Sequence, residues 1–367
     1  YSYSPFSGCS ALTDIIFDKG ITKIPANLLK DCTGITKITI PSTVQTIGDS
    51  AFQNAGLTSI ALPSSLKQIG RFAFSGIQIE TLTLPEGVQS ISDGAFSDCK
   101  SLKSVTIPTT LTTSGYYSYP PFSGCPALTN VSFNKGITQI PENLLKDCTS
   151  ITKITIPSTV QTVGSRAFQS TGLTSIVLPS SLKQIGAYAF LGTKIETLVL
   201  PEGVQTIGNG AFGSCHSLKS VTIPKTLTSV GSYRPIFADC TALTDVTFNN
   251  GITDIPGYLL EDCTGLTNIT IPSTVKTIGH SAFSGTGLTS ISLPSSLNKI
   301  VDYAFYGTKI ETLVLPEGVE KIGDRAFGNC KFLKSVTIPT TLTTAGYSSN
   351  PPFSGCTALT DVTFNNG

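Results

Sequence analysis

The chain of 367 residues is a repeat nested inside a repeat. Cys9, Cys125, Cys240 and Cys356 each close a P-F-S-G-C-type motif (P-I-F-A-D-C in the third copy), at separations of 116, 115 and 116 residues. Inside each long unit, apolar anchors recur at Leu12, Ile35, Leu57, Ile79 and Leu102, then at Leu128, Ile151, Leu173, Ile195 and Leu218. They step by 23, 22, 22, 23 and 26 residues. Self-similarity at such a period marks a solenoid, where each coil buries its apolar face only against its neighbours. That overrides the two or three domains a chain this long would otherwise suggest. The expectation is one continuous solenoid over 1–367, with five-coil super-repeats near 9–124, 125–239 and 240–355. Neither end reads as a polar capping coil and the chain has no Met, so a slice of a longer array is expected.

A single coil shows how the pattern builds structure. Leu57-Thr-Ser-Ile60-Ala-Leu62 alternates as a strand with one inward face. Pro63 cannot donate to a ladder and ends it. Leu66 and Ile69 return side chains to the core, Gly70 permits a sharp bend, and Ala73-Phe74 are expected on a single helical turn. The Phe74 position recurs as Phe52, Phe96, Phe168, Phe190, Phe212, Phe283, Phe305 and Phe327. Leu29, Leu145 and Leu260 stand in where it is missing, and Phe6, Phe122, Phe237 and Phe353 occupy the remaining coils. One bulky residue per coil in a shared layer would contribute about 2–3 kcal/mol each.

The consensus A-F-x-x-C-x-x-L-x-x-I-x-I-P-x-x-V-x-x-I-G stands nearly complete in Ala95-Phe96-Ser-Asp-Cys99-Lys-Ser-Leu102-Lys-Ser-Val105-Thr-Ile107-Pro108, and it resembles the BspA-type leucine-rich repeat. The resemblance covers essentially the whole chain. It implies a mostly-β, α/β-type repeat solenoid: a right-handed superhelix or horseshoe of about sixteen coils of 22–26 residues, with a parallel sheet on one face. Proteins of that family are typically found on the surface of bacteria or parasitic protists, where some act as adhesins for matrix proteins or other cells.

Chemistry is harder to find. With 24 basic and 23 acidic residues there is no basic stripe for nucleic acid. No apolar run has the length of a membrane span. The ten cysteines share one position of the coil, which suits a ladder of small buried thiols, with neighbour disulfides as the alternative. A linear stack does not converge on a point, as zinc requires. His216 and His280 fall at different positions of the coil, with no nucleophile marked beside either. No phosphate loop, zinc-protease signature or calcium loop is present. The chain is therefore expected to be no enzyme and to need no cofactor or metal.

Two surfaces remain for a partner. The strand face is a hydroxyl-rich, sparsely charged sheet on which Lys37, Thr39, Thr81, Thr83, Lys153 and Thr155 are candidate contacts. The second surface is the insertion that lengthens every fifth coil, carrying Tyr116, Tyr117, Tyr119, Tyr233, Arg234 and Tyr347 on proline-stiffened loops. Tyrosine there offers large contact area at low entropic cost. Five coils at ~4.8 Å would space these loops about 24 Å apart. Asn130-Val-Ser132 and Asn268-Ile-Thr270 are N-glycosylation sequons expected within strands. The favoured reading is a non-enzymatic, extracellular or cell-surface adhesion protein that binds a protein or glycan by avidity. The alternative is a self-assembling filament or coat subunit whose partners are copies of itself.

Overall fold

The structure, a computed structural model, describes residues 5–115, 118–346 and 349–366. It divides into two compact units, Tyr1–Ser181 and Leu182–Gly367. Each is a mostly-β parallel solenoid, and no helix occurs among the described residues.

In the first unit the two-residue strands Lys23–Ile24, Thr46–Ile47, Gln68–Ile69, Ser90–Ile91 and Thr113–Ser114 pair in that order, all parallel. Each isoleucine lies directly over the next, so Ile24, Ile47, Ile69 and Ile91 form one buried column. The second unit repeats this ladder from Asp254–Ile255 through Thr277–Ile278, Lys299–Ile300 and Lys321–Ile322 to Thr344–Ala345.

The phenylalanine layer forms as the periodicity requires. In the first unit Phe52, Phe74, Phe96 and Phe122 stack with ring centroids 5.1, 5.2 and 5.6 Å apart and planes within 13° of parallel. In the second, Phe283, Phe305, Phe327 and Phe353 stack at 5.2, 5.1 and 5.5 Å. Leu29, Leu145 and Leu260 are fully buried in the coils that lack the aromatic ring.

The expected helical turn at Ala73-Phe74 is corrected. Phe72 and Gly76 take left-handed backbone, with φ of 52° and 78°. Two linked turns bracket the pair, Ala73 N–H donating to Gly70 and Ser75 N–H to Phe72. The N–H groups of Phe72, Phe74 and Gly76 point out of the coil and donate to the carbonyls of Asp93, Ala95 and Ser97, each at 2.8 Å. A helix would spend those donors within its own segment; here they tie one coil to the next. The three-bond rung recurs from Ser50, Phe52 and Asn54 to Arg71, Ala73 and Ser75, and again from Tyr303, Phe305 and Gly307 to Asp324, Ala326 and Gly328.

All ten cysteines are free thiols. Most of them also link coils, donating the S–H to the carbonyl of the core phenylalanine one coil earlier. Cys99 bonds Phe74 at 3.2 Å, Cys125 bonds Phe96 at 3.2 Å and Cys240 bonds Phe212 at 3.1 Å. Burial pushes the thiols of Cys148 and Cys263 up, so neither forms thiolate at ordinary pH. Cys330 is pushed up by its hydrogen bond with the less buried Cys356 and by burial, whereas Cys356 is lowered by the same bond. Native protein treated with iodoacetamide should therefore label Cys9 and Cys356, the two cysteines that are not buried, and leave the other eight untouched until denaturant is added. Peptide mass mapping of label sites would check this; early labelling of Cys99 or Cys240 would contradict the buried ladder.

Candidate binding surface

The strand face begins as a regular sheet. Thr81–Thr83, Ser104–Ile107 and Asn130–Phe133 pair in parallel, setting Thr81, Ser104 and Asn130 in one row and Thr83, Thr106 and Ser132 in the next. The Thr106 and Ser132 hydroxyls share a hydrogen bond of 3.0 Å. The same three-strand group returns as Thr197–Val199, Ser220–Ile223 and Asp245–Phe248, and as Thr312–Val314, Ser335–Ile338 and Asp361–Phe364.

Outside these groups the sheet breaks, and the expectation of strands in the coils at Leu57, Asn268 and their equivalents is corrected. Residues 37–40, 153–156 and 268–271 form no strand and, among the described residues, make no main-chain hydrogen bond to either flanking coil. Asn268 accordingly lies outside any strand, whereas Asn130 begins one; both are exposed. An open depression marks each break. The first, of about 1210 Å³, is lined by Asp14, Ile16, Lys37, Thr39, Ser59 and Ala61. The second, about 410 Å³, takes Asn130, Lys153, Thr155 and Val177. The third, about 510 Å³, takes Asp245, Asn268, Thr270 and Ser290. Ile16 and Val177 are 95% and 85% exposed, so the depressions are not purely polar.

Glycine precedes most of the unpaired coils, although Ser150 holds that position before Ile151, whose coil carries the unpaired residues 153–156. Gly34, Gly56, Gly172, Gly265 and Gly287 each stand just before the anchor of a coil in or beside a break, while Gln78, Ser101, Ala127, Lys309, Phe332 and Ala358 precede paired strands. A Cβ added at Gly56 would lie 2.0 Å from the Thr33 carbonyl oxygen, and one at Gly172 would lie 2.2 Å from that of Thr149. The coils close together there more tightly than any side chain allows, and the segments that follow are unpaired.

The inserted loops are placed differently. Tyr116, Tyr117 and Tyr347 lie outside the described residues. Tyr119 is 52% exposed; its carbonyl accepts from Gly94 N–H at 2.8 Å and its ring stands edge-on to Phe72 at 5.5 Å. Tyr233 is 89% exposed, its N–H held by the Asn209 side chain at 3.0 Å, and Arg234 pairs with Asp239 at 3.3 Å. The loop bases thus fold onto the preceding coil while the Tyr233 ring projects. The structure brings Lys37 with Thr39, and Lys153 with Thr155 and Asn130, into two of the depressions; Thr81 and Thr83 sit on paired sheet. Among the described residues neither histidine hydrogen-bonds a nucleophile or a carboxylate.

The repeats have relatives. The BspA type leucine rich repeat region matches in six copies, over residues 2–119, 67–195, 183–309 and 255–367. The chain belongs to the BspA-type leucine-rich repeat family. A leucine-rich repeat protein from Bacteroides ovatus is 27% identical, with 98% of this chain and 81% of that one covered and a TM-score of 0.58. One from Eubacterium ventriosum is also 27% identical, covering 80% of this chain and 82% of that one, with a TM-score of 0.49. No curated protein matches the chain. No helix is long and apolar enough to cross a membrane among the described residues of this BspA-type chain.

Proposed function

We propose that this BspA-type chain is a non-enzymatic binding protein of the cell surface or extracellular space, an adhesin that holds a protein or glycan ligand through repeated weak contacts. The observation that supports it is the recurrence of one depression at three equivalent places, with Thr39, Thr155 and Thr270 at matching positions separated by 116 and 115 residues. Small hydroxyl side chains make no strong hot spot, so each site binds feebly and the array gains by multivalency. The exposed Tyr119 and Tyr233 loops add a second row of contacts. The typically non-catalytic habit of leucine-rich-repeat solenoids supports the same reading.

Three variants test this: Thr39→Arg, then Thr39→Arg with Thr155→Arg, then both with Thr270→Arg. Retention on immobilised fibronectin and collagen should fall more than proportionally at each step, by roughly 10²-fold or more in the triple variant. Undiminished retention in the triple variant would remove the strand face as the binding surface. Ordered particles of pure protein in electron micrographs would favour the self-assembling subunit instead.

A further inference from the structure

The third super-repeat contains one place unlike its sisters. Tyr258, His280 and Tyr306 occupy positions held by Asn143, Ser165 and Leu191 in the second super-repeat, and by Asn27, Asp49 and Ser75 in the first. With Tyr303 they form a row: ring centroids are 5.0 Å apart for Tyr258 and His280, 5.6 Å for His280 and Tyr303, and 5.6 Å for Tyr303 and Tyr306. All four rings are half-buried.

Arg325 completes the change. Its counterparts are Gly94 and Gly210, where an added Cβ would lie 2.4 Å from the Phe72 ring and 2.8 Å from the Tyr188 ring. In those super-repeats the aromatic side chain lies across the glycine of the next coil. An arginine Cβ occupies that space in the third, and the Tyr303 ring packs against His280 and Tyr306 instead.

These changes run against local preference. Tyr258 has φ of 61° where both sisters carry asparagine, a residue suited to left-handed backbone. Arg325 has φ of 48° where both carry glycine, and its Nε is buried without a hydrogen-bond partner. Bulky Phe72, Arg166 and Tyr188 take the same backbone elsewhere in the array, so what sets the third super-repeat apart is tyrosine and arginine arriving together at positions that its sisters give to asparagine and glycine. Two departures of this kind, meeting at the one aromatic row absent from the other super-repeats, call for a ligand.

We propose that Tyr258, His280, Tyr303, Tyr306 and Arg325 form a binding site for an uncharged pyranose glycan. The half-exposed rings offer flat apolar faces, one or two per coil, on which the C–H faces of successive sugar rings stack. Hydroxyl groups are met by the rim: Arg325, His280 and the carboxylates of Asp302 and Asp324, two residues joined by the 2.9 Å bond from Asp324 N–H to Asp302 Oδ1. The rim carries charges of both signs, Arg325 beside Asp302 and Asp324, so no field of one sign recruits an ion and the ring faces are left to hold an uncharged ligand. The site is separate from the strand-face depressions and does not depend on them.

Only three of the chain's 11 tyrosines lie in this patch and the variant below removes two of them, so binding is read by isothermal titration calorimetry and not by tyrosine emission. Titration with cellohexaose, laminarihexaose and mannohexaose should give a saturable change with at least one of them, at one site per chain. Tyr258→Asn, His280→Ser and Tyr306→Leu together restore the second super-repeat's residues, which this fold already accommodates. That variant should lose at least tenfold in affinity with a melting temperature no lower than the parent. Arg325→Gly should weaken binding several-fold. Thr39→Arg should leave it unchanged, which separates this site from the adhesive surface. The proposal is overturned if none of the three hexaoses binds, or if the triple variant binds them as well as the parent. It is equally overturned if oligogalacturonate, choline or a polyproline peptide binds the patch in their place.

Discussion

Replacing Phe74 with alanine should lower stability by about 3–5 kcal/mol, the range for emptying a fully buried aromatic site. The ring is inaccessible to solvent and lies between Phe52 and Phe96, with centroids 5.1 and 5.2 Å away. Neither neighbour can collapse into the gap, because both are held by their own inter-coil rungs: Phe52 N–H donates to Ala73 and Phe96 N–H to Pro121. The cavity term therefore adds to the lost burial. Stability in a solenoid is approximately a sum over neighbouring coils, so the loss should be concentrated near residues 52–96. Urea unfolding followed by circular dichroism gives the magnitude, and amide hydrogen exchange gives the location. Phe332→Ala is the control: that ring is 53% exposed, and its removal should change stability by no more than about 0.5 kcal/mol. Equal losses at the two positions would mean that the stacked column does not carry the fold.

Gly56→Ala should be the most damaging single-methyl insertion. The added Cβ would lie 2.0 Å from the Thr33 carbonyl oxygen, 2.9 Å from the Thr33 carbonyl carbon and 3.2 Å from the Ile35 carbonyl oxygen. All three are backbone atoms, so no side chain can swing aside. The entropic benefit of alanine over glycine in the unfolded chain is about 0.4–1 kcal/mol. Overpacking against a fixed backbone costs about 1–3 kcal/mol, and sterics should win. Gly20→Ala has the same chemistry without the clash, since the nearest atom is Asp18 Oδ1 at 3.9 Å. It should be neutral or slightly stabilising. A thermal melt of each variant distinguishes them, and an unchanged melt for Gly56→Ala would show that the coils do not close together at that corner.

Much of the architecture was legible because one residue per coil does one job. Phe74, Leu29 and Ile69 each recur at a fixed step, and burying them requires no more than stacking coils in register. The glutamates show a finer level that the pattern concealed. Asn134 donates to Glu86 at 2.5 Å and Asn365 to Glu317 at 2.5 Å, each bridging two coils. These bonds hold both carboxyls below the usual range. Glu80 and Glu311 pair instead with Lys103 and Lys334, one coil on, at 2.9 and 2.7 Å. Those exposed pairs contribute about 0–1 kcal/mol each.

The residues alone determined the family, the period, the phenylalanine column and the buried rank of cysteines. Each is a matter of side chains, and periodicity records where side chains recur. Three features were decided by the tertiary structure. Ala73-Phe74 forms linked turns and not a helical one; residues 37–40, 153–156 and 268–271 fall out of the sheet; Tyr258, His280, Tyr303 and Tyr306 come together. The first two depend on which coil receives each backbone N–H, and every residue but proline carries the same donor, so composition leaves no trace of the choice. The third depends on Tyr258, His280 and Tyr303, 22 and 23 residues apart, meeting because coils stack about 5 Å apart, a proximity that exists only once the chain is wound.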